Sequence, residues 1–142
     1  MITIVETCIY AENLDETIRF YEDVLDLPLI AFEEDRHAFF KCGKGMLLIF
    51  DPNHTSRVQT EVSGSPVPLH GAKGENHVAF SVKDSEYENW KQNLIDNGVA
   101  IESVVKWPNG VDSFYFRDPA GNSLEIIRGA LWNLESEKKT QK

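Results

Sequence analysis

Residues 77–82, His-Val-Ala-Phe-Ser-Val, read as an alternating strand, and they repeat in kind the opening stretch 6–11, Glu-Thr-Cys-Ile-Tyr-Ala, 71 positions earlier. A helical pattern follows each. In the first, Asn13 stands at the capping place ahead of Leu14, Ile18, Tyr21, Val24 and Leu25, with Asp15 and Glu16 at the positive end of the helix. In the second, Asp84 or Ser85 starts a helix through Tyr87, Trp90, Leu94 and Ile95 that stops at Asn97-Gly98, where glycine supplies a left-handed residue. Strand patterns then cover 28–33, 38–41 and 46–50 in one half and 100–105, 113–117 and 123–127 in the other. The turns 42–45 and 118–122 fall at matching places. Each half reads βαβββ. The fold class expected is α+β, two βαβββ modules in tandem over 1–51 and 77–128, forming one domain over 1–128.

Between the modules, residues 52–76 carry Pro52, Pro66, Pro68, Gly64, Gly71 and Gly74 with little periodicity, and read as a long linking loop. Residues 129–142 read as a C-terminal tail, polar and solvated from Asn133 to Lys142.

Composition excludes several classes of partner. The 142 residues are 42% apolar and 11% aromatic, enough for one well-filled core. With 23 acidic against 14 basic side chains the formal charge is −9, which repels nucleic acid and anionic membranes. Cys8 and Cys42 are too few for a disulfide framework and lack the spacing of a redox or zinc pair, so a reducing cytoplasm is expected. No basic leader precedes an apolar stretch, and no segment approaches the ~18 apolar residues of a membrane span.

Strand parity separates structural from chemical faces. Thr7, Ile9 and Ala11 share one face of the first strand, and Val78, Phe80 and Val82 one face of its repeat. The opposite faces present Glu6, Cys8 and Tyr10 in the first case and His77, Ala79 and Ser81 in the second. Glu6 and His77 thus hold equivalent places, and Glu125 shares its face of the last strand with Ser123 and Ile127. One reading is a divalent ion held by Glu6, His77 and Glu125 with positions left open, a donor set suited to manganese, magnesium, nickel, cobalt or zinc. The other places Glu6 at a solvated strand end, lets His77 bond a neighbouring loop, and pairs Glu125 with Arg36 or Arg117.

Three motifs carry a resemblance. They are Glu6-Thr-Cys-Ile-Tyr-Ala-Glu-Asn-Leu with Arg19-Phe-Tyr-Glu-Asp-Val-Leu, His70-Gly-Ala-Lys-Gly-Glu-Asn-His77-Val-Ala-Phe, and Tyr115-Phe-Arg-Asp-Pro-Ala-Gly-Asn-Ser-Leu-Glu125. Together they resemble the vicinal oxygen chelate superfamily, which groups glyoxalase I, fosfomycin-resistance thiol transferases, extradiol dioxygenases and bleomycin-resistance proteins. The resemblance implies curved mixed sheets enclosing a metal cavity, and a homodimer. It transfers ligand roles to His77 and Glu125 directly. Glu6 stands where the family carries His or Gln, and residues 46–50 hold no acid at the place of the glyoxalase fourth ligand. A dioxygenase iron site would need His where Glu6 stands.

The resemblance therefore implies a metal-dependent enzyme acting on a small molecule, the divalent ion polarising two vicinal oxygens, with Mn, Ni, Co, Zn, Mg or Fe as candidates. Glu6 doubles as a candidate general base. The rival is a metal-free binder of the bleomycin-resistance type, which the charge of −9 suits. Among other residues, Cys8 is expected as a small buried thiol before a soft ligand or reactive thiol, His70 as a loop residue before an extra ligand or a gate at the cavity mouth, and Arg36 and His37 as a solvated edge rather than a contact for an anionic substrate. Tyr10, Phe39, Trp107, Tyr115 and Trp132 are expected mostly in the core, and Arg117 as organiser of the 118–122 turn.

Overall fold

A computed structural model describes residues 1–132, so the expected polar end at 133–142 lies outside the described residues. The chain forms two compact units, one of residues 1–76 with 117–123, the other of residues 77–116 with those from 124 onward.

In the first unit, β1 (Glu6–Tyr10), β2 (Leu29–Glu33), β3 (His37–Cys42) and β4 (Gly45–Phe50) form a sheet in the order β1-β4-β3-β2. β1 runs parallel to β4, pairing Glu6 with Met46 and Tyr10 with Phe50, and β3 runs antiparallel to β4. One parity of this sheet is core: Ile9, Ala38, Phe40, Leu47 and Ile49 are buried, and Tyr21 meets Phe40 at 5.7 Å between ring centroids. Tyr21 comes from the first helix, α1 (Leu14–Arg19), which widens into a π-helical turn over Phe20–Val24. That turn buries Phe20 and Tyr21 side by side.

Asn13 does not cap α1 with its side chain as expected. Its Nδ2 donates instead to the Pro119 carbonyl at 2.9 Å. The 52–76 stretch, expected as a loop, contains α2 (Pro52–Thr55) and a hairpin of β5 (Thr60–Val62) and β6 (Ser65–Val67). α2 starts where the Asp51 carboxylate accepts from the Asn53 N–H at 2.9 Å, with Pro52 at a position that needs no donor.

The 117–123 turn completes this unit. Asp118, 4% exposed, accepts from the Tyr21 hydroxyl at 2.8 Å, from Asn122 Nδ2 at 2.9 Å and from the Asn122 and Ala120 N–H groups. Asn122 in turn donates to the Tyr10 carbonyl at 3.2 Å. Arg117 organises the turn as expected, donating to the Gly121 carbonyl at 3.0 Å.

In the second unit, β7 (His77–Val82), β8 (Ser103–Lys106), β9 (Asp112–Arg117) and β10 (Ser123–Arg128) repeat the order as β7-β10-β9-β8. A 3₁₀ turn over Asp84–Glu86 leads into α3 (Tyr87–Asp96), which ends at Asn97 with Gly98 at φ +76° as the sequence predicts. Tyr87, Leu94, Phe114, Phe116, Leu124 and Ile126 form its core. Arg128 covers the Tyr87 ring at 4.8 Å and pairs with Asp84 at 2.7 Å. The large core aromatics across both units are Tyr21, Phe40, Tyr87, Phe114 and Phe116, not the five expected, of which Trp132 is 73% exposed. No helix among the described residues is long and apolar enough to cross a membrane.

Candidate functional site

β10 lies between β7 and β9, which brings one chemical residue from each strand together in the second unit. His77 opens β7, half exposed; Glu125 sits inside β10, 3% exposed; Tyr115 lies on β9. The His77 Nε2 is 3.4 Å from Glu125 Oε1, and the His77 and Tyr115 rings stack at 6.0 Å with 23° between their planes. Glu125 thus meets His77. Its second oxygen, Oε2, is buried with no hydrogen-bond partner. Burial raises the Tyr115 phenol above its ordinary value and the Glu125 carboxylate raises it further, so the hydroxyl stays protonated at neutral pH.

A buried carboxylate with one oxygen unsatisfied is costly unless a positive group neutralises it. The imidazole beside it, that of His77, offers Nε2 from a half-exposed side chain. An imidazole and a hard oxygen donor turned to the same place fit a divalent cation of the zinc, manganese or nickel kind.

Glu6 occupies in the first unit the place that His77 occupies in the second: first residue of the leading strand, exposed, on the non-core parity. It pairs across the ladder with Met46. Within neither unit do three His, Cys, Asp or Glu side chains gather as a ligand set among the described residues. Beside Glu6, Cys8 is exposed rather than buried, and desolvation at its sulfur holds the thiol above its ordinary value, with Glu6 adding to the rise. It is no activated nucleophile.

Further along the same face, the sequence-based reading missed two arrangements. The Tyr10 hydroxyl lies 2.7 Å from His70 Nδ1, and burial, with Cys8 adding, pushes the Tyr10 pKa up to about 12. His70 is a loop residue as expected, held in place by that contact and by its backbone N–H, which donates to the Thr55 carbonyl at 3.1 Å. Arg36, expected at a solvated edge, is 9% exposed, with its guanidinium 5.5 Å from the Phe50 ring centroid and Nη1 2.5 Å from His37 Nδ1. His37 stacks on Phe39 at 4.0 Å. The signal for both was the parity shared by His37, Phe39, Leu48 and Phe50, which makes this face aromatic rather than wet.

Comparison with known proteins places these features in context. Residues 3–126 match the family model described as the Glyoxalase/Bleomycin resistance protein/Dioxygenase superfamily. The metallothiol transferase FosB of Staphylococcus saprophyticus is 30% identical over 120 residues, covering 84% of this chain and 72% of that protein. The crystal structure of a lactoylglutathione lyase from Agrobacterium tumefaciens superposes with a TM-score of 0.84 at 42% identity, covering 92% of this chain and 96% of that one. FosX from Listeria monocytogenes, solved with Mn(II), shares the fold at a TM-score of 0.66 and 18% identity, covering 92% of this chain and 95% of that one.

Proposed function

This chain belongs to the Glyoxalase/Bleomycin resistance protein/Dioxygenase superfamily, and from that premise we propose that it is a metal-dependent enzyme acting on a small molecule with two vicinal oxygens. The observation that carries the reading is the buried Glu125, one oxygen unpartnered, beside the exposed Nε2 of His77. His77 and Glu125, neighbours on adjacent strands of the second unit, would hold the divalent ion. When bound, the ion supplies Lewis-acid polarisation of the substrate oxygens.

The remaining work falls to the chain itself. Glu125, anchored in the middle of a strand, presents its charge from a fixed place. Tyr115, held protonated beside it, donates to an oxygen on which negative charge develops. The relative named as a metallothiol transferase supports a metal site of this kind. We further read residues 1–128 as one glyoxalase-like domain that assembles as a homodimer in the cytoplasm.

Elemental analysis of tag-free protein after manganese, zinc or nickel reconstitution tests the reading. About one ion per chain is expected in the parent, with loss in His77→Ala. Parent protein that takes up no ion would favour the metal-free binder. Undiminished uptake by the His77 variant would place the ion elsewhere.

A further inference from the structure

We propose that the first unit carries a binding site for a small oxyanion, a carboxylate or a phosphate-type group, formed by Arg36, His37 and His54 beside Phe50. The site stands apart from the metal reading and does not rest on it.

Arg36 is a buried cation that no carboxylate neutralises among the described residues. Of its donors, Nη1 meets His37 Nδ1 at 2.5 Å, while Nε is buried with no partner. A guanidinium with its Nε unpartnered keeps the edge that grips two oxygens of one anion. His54, on α2, has its Nδ1 buried and unpartnered too. Because the Nδ1 of His37 accepts from Arg36, its neutral ring carries its proton on Nε2, which makes it a third donor.

The titratable groups around His37 are few. Burial, Arg36 and His54 lower its pKa, and Glu33, 58% exposed and 3.7 Å away, raises it. The Asp51 carboxylate is engaged by the Asn53 N–H. Two buried nitrogens without partners in one small region of a folded protein call for a ligand or an ion, since each forfeits its hydration on folding. An oxyanion satisfies both together and neutralises Arg36. The overall charge of −9 restricts the ligand to small anions rather than polyanions.

Inorganic phosphate, and separately acetate, is titrated at constant ionic strength into metal-free protein while the histidine ring signals are followed by NMR. Saturable shifts at His37 and His54 are expected, with the His37 titration midpoint moving upward when the anion is bound. Arg36→Gln should weaken the affinity at least tenfold. Arg36→Lys, which keeps the buried charge and serves if the Gln variant does not fold, should weaken it too, because the Nε edge is gone. Response to both anions marks the shared chemistry, and response to one identifies the class. The same shifts in a His77→Ala background are expected, which separates this site from the metal reading. Unmoved His37 and His54 signals, or an Arg36→Lys variant that binds as tightly as the parent, would overturn the proposal.

Discussion

The two four-stranded sheets have the same strand order and differ most in the strand next to the leading one. β4, Gly-Met-Leu-Leu-Ile-Phe, buries apolar groups on both of its faces from Leu47 to Phe50. β10, Ser-Leu-Glu-Ile-Ile-Arg, is equally buried from Leu124 to Ile127 but places a carboxylate among them. A duplicated scaffold therefore offers two equivalent platforms, and one buried side chain decides which of them attracts a cation. The first sheet, without an acid on β4, has become an aromatic surface edged by Arg36 and three histidines. The chemistry of each half follows from the charge it buries.

The largest effect is expected from giving the first sheet what only the second has. Leu48→Glu places a carboxylate at a buried apolar site and should lower stability by roughly 3–5 kcal/mol in denaturant unfolding. A loss below ~1 kcal/mol would mean that Arg36 or a histidine already serves as its partner. Glu125→Gln makes the second sheet neutral like the first. Metal affinity should fall by about 100-fold or more by calorimetry, while the metal-free protein stays at least as stable, because an unsatisfied buried charge has been removed. Asp118→Asn keeps the shape of the turn but removes the charge that gathers the Tyr21, Ala120 and Asn122 donors. A loss of about 2 kcal/mol in thermal unfolding is expected.

The smallest effect is one of slope. Folding depresses the His37 pKa, so at mildly acidic pH the unfolded chain binds a proton that the folded chain refuses. Stability from this residue is present above the unfolded histidine value of about 6.5 and is lost as pH falls below it toward the depressed folded value. His37→Gln should flatten that part of the stability-against-pH curve. An unchanged slope would show that His37 does not contribute to it.

Much of this organisation was legible from alternation alone. Parity placed Ile9 and Ala11 in the core and left Glu6 and His77 exposed, because each leading strand has one wet face. The same rule could not tell that Glu125 is buried, since β10 is covered on both faces and its period-two signal is weak. Arg36 reads as solvated in any local window, and only the Phe50 ring brought beside it by the β3–β4 register shows otherwise. Asn13 carries a strong capping signal that a distant carbonyl outcompetes. The π-helical turn and the β5–β6 hairpin likewise depend on packing and pairing that lie outside the short stretches read for propensity.

Asp118 and Tyr21 are 97 positions apart, yet both belong to the first unit. On the ribosome, the strands of that unit emerge well before the turn that satisfies Tyr21. Until then water, not Asp118, serves the Tyr21 hydroxyl, and closing the span between them costs loop entropy. A fragment ending before residue 117 would carry every strand of the first sheet and still lack its last fastening.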